Sequence, residues 1–509
     1  MKRENRTWVM LLFILIFLLS APKAEAREWI IVGPRALGMG GAHVAVSNDS
    51  AASYWNPAAY GFFKNKKKEE DYYGKRKWSS VLDVGVGVQI HEDLGESLSR
   101  ILEYNFDDLD TGQISASNVD DYIQLINELK TFDENKDRAI TITANAGLGT
   151  QVGHFGIGGY AFSEISAKGD LDMVNIAPIS SGTAGADIIT ELSNTGNFND
   201  GAPVPTGDHY FDTATKSELI SAIAGMDNWD SASATDFVQA MDYGLSQAQQ
   251  NGAVIPSDIT TAIEDVAQLA NDAQTGGSFA DNESILLFKG IAIGEVPFTY
   301  GRAITEDFAI GGNIKFMKAR VYNTAVKVFD TEFEDALDEA RDDYKESETF
   351  GIDLGLLYHI KDNLRVGIVG RNLNSPKFDM KRVLPWDNNY IKEKPQVRAG
   401  VAYRPLDFIT LALDFDLTKN ESTISDNYKS QNIGGGAEFN VFKVLQLRAG
   451  LYKNMAKSDI EIVYTAGLGI NLWLFNLDVG ASMSGETSEI DGKDIPKETR
   501  VELALSFLF

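Results

Sequence analysis

The sequence of 509 residues contains no cysteine and only five histidines. Without thiols, the chain can form neither a disulfide framework nor a cysteine-ligated metal site. No two histidines have the spacing of metal ligands, and no nucleophile elbow, phosphate loop or dinucleotide fingerprint lies between a strand and a helix. We therefore predict that the protein uses no cofactor or metal and is not an enzyme.

Basic residues are scarce relative to acidic ones. Lys and Arg together number 46, Asp and Glu together number 73, and the formal net charge is −27. A surface that binds nucleic-acid phosphates should be basic. The composition therefore argues against a nucleic-acid partner.

Long apolar runs are absent apart from one near the start of the chain. Residues 8–19 are apolar, follow a positively charged start, and precede a small-residue site at Ala24-Glu25-Ala26. This three-part order predicts a secretory signal peptide over residues 1–26. The apolar run of about 12 residues is too short for a membrane helix, which needs about 20. The mature chain is therefore either soluble after export or crosses a membrane as β-strands.

Alternation of apolar and polar residues, which favours strands with one apolar and one polar face, recurs along the chain. From residue 409 to 417 the odd positions are apolar, whereas the even positions include Asp414 and Asp416. The chain ends on a similar strand, whose apolar face closes with Phe507 and Phe509. A terminal aromatic residue on that face resembles the signal read by the outer-membrane barrel assembly machinery. We therefore expect that machinery as a partner through Phe509.

Segments of this kind predict about fourteen strands, an even number as bacterial single-chain barrels require. We place them at residues 78–90, 138–151, 154–166, 284–302, 307–321, 348–360, 363–374, 396–405, 407–419, 430–440, 443–453, 461–471, 473–484 and 498–509. Connections after even-numbered strands are short and those after odd-numbered strands are longer, as expected for periplasmic turns and outer loops. The sequence thus predicts an all-β, antiparallel transmembrane barrel in the outer membrane of a Gram-negative bacterium, surrounded by lipid. A soluble β-sandwich is the alternative.

A glycine-rich segment precedes the predicted barrel. Small and turn-forming residues favour a compact, tightly turned segment over an amphipathic helix. Its motif residues are Gly38, Gly40, Gly41, Asn56, Pro57 and Ala58. We therefore predict three regions: a signal peptide at 1–26, a plug or hatch at 27–65, and a barrel at 78–509.

With these features the chain resembles the FadL-type outer-membrane transporters of hydrophobic compounds, and especially a related barrel group named TraF-like after a conjugal transfer protein. The resemblance rests on the glycine-rich opening, the Asn56-Pro57-Ala58 triplet, the strand number and the terminal Phe509. It implies that the N-terminal piece is a hatch that fills the barrel.

The resemblance also implies a path for substrate, from the outer loops into the lumen and sideways through a gap beside a kinked third strand. In the third predicted strand, Gly156, Gly158 and Gly159 are candidates for this lateral gate. Glycine within a strand often marks a bulge or kink. The alternative is that these glycines line a crowded lumen beneath the hatch.

Three long connections are predicted to be helical outer insertions, at residues 91–137, 167–283 and 322–347. Helical spacing marks residues 121–130, 217–226, 235–249 and 257–272. We expect these helices to pack as a small cap, and a cap with a hydrophobic groove is the alternative. Residues 330–346 are an acidic helical candidate, either a solvated helix face or a surface site for divalent cations.

Charged residues fall on the predicted inner faces of several strands. Opposed charges on neighbouring strands most simply form a ladder that holds barrel and plug together. A cationic site for a substrate carboxylate is the alternative. The candidates are Arg365, Arg371, Arg398, Arg448, Asp353, Asp414, Asp416 and Asp478.

The leading hypothesis is passive uptake of small hydrophobic compounds, such as long-chain fatty acids, gated by residues 27–65. The alternatives are a barrel-anchored component of a conjugation or secretion assembly, with a protein partner at the outer cap, and a structural surface protein with a closed lumen. A hydrolase built at the strand ends is a weaker alternative. A continuous apolar channel from cap to lumen would favour transport, whereas a flat apolar outer patch would favour a protein partner.

Overall fold

The structure is a computed structural model of the chain. It describes residues 25–26, 28–64, 78–92, 94, 139–172, 205–226, 229–250, 255, 259–261, 263–264, 267–268, 283–327, 341, 343–385, 387–421, 429–442, 444–457, 460–472, 475–490 and 492–508.

Fourteen antiparallel strands of the described chain close into one barrel, which confirms the predicted fold class and strand number. In chain order the strands are β1 (Trp78–His91), β2 (Ala139–Val152), β3 (Phe155–Asp170), β4 (Ile285–Ala303), β5 (Phe308–Lys327), β6 (Tyr344–Lys361), β7 (Leu364–Arg371), β8 (Gln396–Leu406), β9 (Ile409–Asp416), β10 (Asn432–Val441), β11 (Leu445–Asn454), β12 (Val463–Asn471), β13 (Phe475–Ser484) and β14 (Glu498–Leu508). Each strand pairs with the next, and β1 pairs with β14 to close the sheet.

The outer face of the barrel is apolar and its inner face is polar. On β1, Leu82, Val84 and Val86 point outward and are exposed, whereas Asp83 between them is buried. An apolar outer band around a closed, polar interior is the arrangement of outer-membrane barrels. The alternation therefore identifies the protein as a membrane-spanning β-barrel.

The connections sort by length between the two ends of the barrel. Those after even-numbered strands are a few residues long, such as Gly153-His154 between β2 and β3. Those after odd-numbered strands are longer, so all of them lie at one end, the long-loop end. Trp78 and Leu508, the outer limits of the barrel strands, lie at the opposite, short-turn end.

The strands beside the third long connection extend further than the sequence pattern predicted. β5 continues to Lys327 and β6 begins at Tyr344, so the insertion predicted at 322–347 shortens to 328–343. The helix predicted to end at Glu346 is wrong there, because Glu346 pairs across the sheet with Arg320, at 3.2 Å from Arg320 Nε. Opposite charges on paired strands stabilise such an extension.

The described helices fall in two places. Before β1 lie α1 (Pro34–Gly38), α2 (Ala52–Trp55) and a 3-10 helix (Pro57–Lys64). Between β3 and β4 lie α3 (Thr213–Ile223) and α4 (Ser231–Gln250). α3 overlaps the helix predicted at 217–226 but begins and ends earlier, and α4 contains the helix predicted at 235–249. The prediction at 257–272 is described only in part, and the one at 121–130 lies outside the described residues. No helix in the described ranges is both long enough and apolar enough to span a membrane.

α3 and α4 bury their apolar side chains together. Leu219 and Ile223 of α3 and Phe237 of α4 are buried, and Trp229 packs on Phe237 with ring centroids 5.1 Å apart. Asp242 of α4 accepts backbone N–H groups from the segment before α3. Residues 205–226 and 229–250 show no exposed large apolar side chain, so the two helices bury their apolar side chains mainly against each other.

Short strands that the sequence did not predict lie in the long connections and before the hatch. They are too short for a period-two pattern to be recognised. They are Glu25–Ala26, Lys377–Asp379, Tyr390–Lys392, Lys419–Glu421, Lys429–Ser430, Thr487–Ile490 and Lys493–Pro496.

Candidate functional site

Residues 28–64, called the hatch below, thread the bore from the long-loop end to the short-turn end. At the start, Glu28 Oε1 accepts a hydrogen bond of 3.0 Å from Asn432 at the beginning of β10. At the other end, Tyr60 O lies 3.1 Å from His154 Nδ1 in the turn after β2. Most side chains between these points are buried. The hatch therefore fills the lumen along its length.

The middle of the hatch docks backbone to backbone on one wall. Gly40 has a φ of 66°, which favours glycine. A Cβ at Gly434 would lie 1.9 Å from Gly40 O, and a Cβ at Gly436 would lie 2.7 Å from Met39 Cα. Gly40 N also donates to Thr465 Oγ1 at 3.1 Å. The two backbones can approach this closely only because Gly40, Gly434 and Gly436 have no side chains.

Side chains would also meet steric conflict at Gly38 and Gly41, the motif glycines on either side of Gly40. A Cβ at Gly38 would lie 2.9 Å from Gly467 Cα on β12. Gly41 has a φ of 77°, and a Cβ there would meet Ile31 at 3.0 Å. The inward glycines that receive this part of the hatch are Gly434, Gly436, Gly450, Gly467 and Gly480. No contact between these wall glycines and the hatch was predicted from the sequence, although the glycines share the inward parity of their strands.

The Asn56-Pro57-Ala58 triplet docks on the opposite side, near the short-turn end. Asn56 Nδ2 donates to Leu356 O at 3.1 Å, and Asn56 Oδ1 accepts from Ala58 N at 3.1 Å. A Cβ at Gly355 would lie 2.2 Å from Asn56 Oδ1. A Cβ at Gly311 would lie 2.4 Å from Pro57 O. The triplet thus anchors the hatch on β5 and β6.

Two of the predicted lumen charges contact the hatch backbone. Asp414 on β9 accepts from the N–H groups of His43 and Val44 at 2.8 and 2.9 Å. Arg365 on β7 donates from Nη2 to Ser47 O at 2.8 Å. Charge-assisted hydrogen bonds are stronger than neutral ones. These contacts hold the hatch between β7 and β9.

Other lumen charges pair with one another. Arg398 and Asp416 lie 2.5 Å apart, and Arg448 contacts Asp478 at 2.6 Å and Glu438 at 2.8 Å. Buried charges are tolerated when they are paired and hydrogen-bonded. Sequence reasoning omitted Glu438, although its position on β10 has the same inward parity as the wall glycines.

A second buried ion cluster spans β4 to β7. Lys315 Nζ lies 3.1 Å from Glu295 and 3.3 Å from the predicted Asp353, and Arg371 lies 3.0 Å from Glu295. Asn313 Nδ2 donates to Asp353 at 3.0 Å. Lys315 and Glu295 were not among the lumen charges predicted from the sequence.

The first residues of the hatch make contacts of a different kind. The Trp29 ring stacks on Trp55 with centroids 6.2 Å apart. The guanidinium carbons of Arg398 and Arg371 lie 4.7 and 5.3 Å from its centroid. Trp29 is 2% exposed, yet its Nε1 has no acceptor among the described residues. Side-chain packing and cation–π attraction hold this segment.

The pairing of β3 with β4 is interrupted at the predicted gate glycines. The ladder has Ile157 opposite Phe298 and then Tyr160 opposite Glu295, with no pairs between them. These unpaired positions, called the lateral gap below, are Gly158-Gly159 on β3 and Val296-Pro297 on β4, and the register of the two strands is the same on both sides of them. On the other side, β2 pairs with β3 without interruption. Pro297 has no N–H to donate, and proline is rare inside a central strand.

The three glycines of β3 have different surroundings. A Cβ at Gly156 would lie 2.4 Å from the Tyr60 ring, so this glycine makes room for the hatch. A Cβ at Gly159, which faces outward, would meet nothing within 4 Å. A Cβ at Gly158 would lie 2.8 Å from the Tyr160 ring. The crowded-lumen alternative thus explains Gly156 and Gly158, whereas at Gly159 only the interrupted pairing stands out.

An aromatic wall lies inside the lateral gap. Tyr160 and Phe162 point inward and stack with centroids 6.3 Å apart. Tyr54 of the hatch packs against both, at 5.7 and 5.5 Å. Tyr160 OH lies 2.5 Å from Ser53 Oγ. Aromatic side chains therefore cover the lateral gap from inside.

Solved barrels of similar topology share little sequence with the chain. They include the toluene transporter TodX of Pseudomonas putida (9% identity, 95% of this chain and 98% of that chain, TM-score 0.41). They also include the CymD monoaromatic hydrocarbon channel (11%, 95% and 98%, TM-score 0.42) and a Pseudomonas aeruginosa FadL homologue (9%, 95% and 99%, TM-score 0.42). A search of curated sequences finds no match.

One family model matches most of the chain. It describes the TraF protein of the F plasmid transfer operon and aligns with residues 54–416. The alignment begins in the hatch and extends through β9. The chain therefore belongs to this TraF family.

Proposed function

We propose that the protein is an outer-membrane channel for passive uptake of small hydrophobic compounds, with the hatch as its gate and the lateral gap as its exit. The observation that carries this proposal is the interrupted β3–β4 ladder. Backbone groups that face hydrocarbon must be satisfied internally, so two unpaired positions within a barrel wall need a reason. An opening toward lipid serves a solute that partitions into the membrane.

One part of the hatch is fixed firmly to the barrel wall, and the other part is held less firmly and can move. Residues 33–64 are wedged against wall glycines and bonded to Asp414 and Arg365. Residues 28–32 lack such a wedge. Tyr54 OH donates to Ile30 O at 2.6 Å, and Trp55 Nε1 donates to Val32 O at 3.0 Å. We assign the gate to residues 28–32.

Displacement of this segment would uncover the aromatic wall beside the lateral gap. Trp29 covers Tyr54 and Trp55, with the Trp29 and Tyr54 ring centroids 6.4 Å apart. Tyr54 in turn covers Tyr160 and Phe162. These rings offer a flat apolar surface. Long-chain fatty acids and aromatic hydrocarbons are both candidate substrates.

A reversible cross-link tests the exit directly, because the native chain has no cysteine. Gly159→Cys with Val296→Cys places one thiol on each side of the lateral gap. Ala161→Cys with Gly294→Cys is the matched control, since these residues are already paired in the ladder. Uptake of radiolabelled toluene by producing cells should fall on oxidation of the first pair and recover on reduction. The control pair should show no change.

Two results would overturn the proposal. One is toluene uptake that does not differ between cells with and without the protein, which would favour a structural barrel with a closed lumen. The other is uptake that is unaffected by a verified cross-link at the gap, which would remove the lateral exit alone.

A role in a transfer or secretion assembly is the second candidate, and the family match favours it. However, α3 and α4 present no exposed large apolar side chain on which a protein partner could dock. Purification of the cross-linked protein from its native cells tests this alternative. Stoichiometric co-purification with other envelope proteins, together with unchanged toluene uptake, would support it over transport.

Two further partners belong to the transport proposal. The apolar outer face is expected to contact outer-membrane lipid. Phe509, outside the described residues, is expected to direct the chain to the barrel assembly machinery. Deletion of Phe509 should reduce the amount of folded barrel in the membrane, and Phe509→Trp should restore it.

A further inference from the structure

One patch on the inner wall of the barrel is apolar, although inward side chains are polar along most of the bore. This apolar patch lies on β4 and β5 toward the long-loop end, where Ile291 is opposite Val321 and Ile293 is opposite Ala319. These four side chains are buried together with Met317. Barrel interiors of this kind are usually polar, so an apolar patch there needs a specific reason.

A short hairpin from the connection between β7 and β8 covers the apolar patch. Its two strands, Lys377–Asp379 and Tyr390–Lys392, pair with each other. Phe378 and Met380 are 0% and 2% exposed, and both pack within the patch. The residues on either side of Phe378 in its strand are exposed. The hairpin therefore has one face on the patch and the other in solvent.

The apolar patch continues into the aromatic wall that covers the lateral gap. Ile293 lies opposite Phe162 of β3, and cross-strand neighbours on one face of a sheet are close enough for their side chains to pack. Phe162 stacks on Tyr160, and a Cβ at Gly158 in the gap would lie 2.8 Å from the Tyr160 ring. An apolar surface therefore runs from the patch to the lateral gap.

Few polar contacts hold the hairpin in place. Asp379 N donates to Ser347 Oγ at 3.0 Å, and Asn323 Nδ2 donates to Lys381 O at 2.9 Å. The Asp379–Ser347 bond is exposed, so water can replace it. A two-stranded hairpin is only marginally stable by itself. Its order therefore depends largely on the burial of Phe378, and an apolar solute could offer the patch the same kind of contact.

We propose that the apolar patch is a binding site for the aromatic ring of an entering solute, and that Phe378 occupies this site until a solute displaces it. The inference rests on the proposed transport function and names a substrate class for it, compounds with a single aromatic ring. The ring of Phe378 shows the size and flatness of the group that the patch accepts. A solute bound there would meet Phe162 next, at the start of the path to the lateral gap.

A cross-link tests whether the hairpin must leave the patch. Ser347→Cys with Asp379→Cys joins the hairpin to β6 at a position where the two residues are already in hydrogen-bond contact. Oxidation of this pair should reduce the uptake of radiolabelled toluene to the level of cells without the protein, and reduction should restore it. Lys377→Cys with Lys392→Cys is the matched control, because it joins the two strands of the hairpin to each other and leaves the hairpin free to move. Uptake in the control should not change.

A binding measurement tests the ring site itself on the purified full protein. Phe378→Ala removes the resident ring, which raises the fraction of protein that is able to bind. The dissociation constant for toluene, measured by calorimetry, should fall by at least about ten-fold. The dissociation constant for palmitate should change less, because the vacated space has the size of one ring. Tyr390→Ala, on the exposed face of the same hairpin, is the control and should leave both constants unchanged.

The outcomes separate the inference from the function on which it rests. Equal toluene affinity for the parent protein and Phe378→Ala would overturn the ring site and leave the channel in place. Toluene uptake that is unaffected by a verified cross-link between positions 347 and 379 would overturn the displacement of the hairpin. If the parent protein takes up no toluene, transport fails, and the binding measurement alone then decides whether the ring site exists. Retention of the folded band on unheated gels verifies that each variant forms a barrel.

Discussion

The two parts of the hatch are held in the bore by different physical means. Residues 33–64 contact the wall through backbone atoms, at distances that leave no space for a Cβ on Gly434 or Gly311. Residues 28–32 contact it through large side chains, with the guanidiniums of Arg371 and Arg398 close to the Trp29 ring. The first arrangement cannot slide without steric conflict. The second can separate by side-chain rotation and local unfolding.

Because of this difference, we expect residues 33–64 to stabilise the closed barrel and residues 28–32 to act as the gate. Well-packed interiors have discrete arrangements rather than continuous deformations. A segment with an unpaired buried donor, as at Trp29, has a smaller net gain from docking than one with every group satisfied. We therefore expect variants in the two parts to differ in how strongly, and over which residues, they release the hatch.

The largest effect is expected where the backbones are closest. Gly434→Val would place atoms within 1.9 Å of Gly40 O, which neither backbone can accommodate. We expect the hatch to leave the bore or the barrel to fail to assemble. Protease cleavage between residues 33 and 64 and ion conductance in planar bilayers would measure this. Gly294→Val, whose added Cβ would have its nearest neighbour at 3.8 Å, is the control and should behave as the parent protein. A protected hatch in Gly434→Val would contradict the wedge.

A smaller effect on the same part is expected from Asp414→Ala. This change leaves the N–H groups of His43 and Val44 without their acceptor, and each such loss costs about 1–3 kcal/mol. The hatch should stay in the bore but unfold at lower denaturant concentration, as followed by protease protection. Asp407→Ala, in a fully exposed turn, should cause no shift. Equal midpoints for the two variants would show that Asp414 does not anchor the hatch.

A local effect is expected from Trp29→Ala. Truncation of a buried aromatic side chain costs about 3–5 kcal/mol, and here the loss falls on residues 28–32 alone. Protease should cleave near residue 30 while residues 33–64 stay protected, and toluene uptake should rise. Tyr300→Ala, an exposed aromatic on the outer face, is the matched control. Cleavage throughout the hatch would contradict the division into two parts.

The barrel could be predicted from the sequence because membrane strands have a strict period of two. The residues at 409–417 and 78–90 show it, and every predicted barrel strand overlaps one in the structure. The ends of the strands were predicted less well where the strands stay paired beyond the alternating, lipid-facing part of the sequence. At the junction of β5 and β6, Arg320 and Glu346 extend the sheet with charged residues that resemble a helix surface in sequence.

The hatch and its contacts could be predicted only in outline. The sequence marks Gly40 and Asn56 as unusual, but their partners Gly434 and Gly355 are hundreds of residues away. Strand parity shows which residues face inward, as for Asp414, but not which of them meet the hatch. Glu295 and Lys315 pair because the barrel places β4 beside β5 at one register. The register between these two strands is set by closure of the whole sheet, so the residue pattern within each strand does not predict it.

The smallest expected effect is a pH dependence confined to the first residues of the hatch. The carboxyl group of Glu28 has an ordinary pKa of 4.5, and in the folded state burial and Glu498 raise its pKa to about 8. The docked segment therefore binds more protons than the released one between these values, so docking should weaken as pH rises from about 4.5 to 8 and change little above. Protease cleavage near residue 30, measured from pH 5 to 9, should accelerate across this range. Glu28→Gln, which cannot ionise, should make the rate insensitive to pH and leave residues 33–64 protected throughout. An unchanged pH profile in Glu28→Gln would assign the titration to another group and remove Glu28 from the gate.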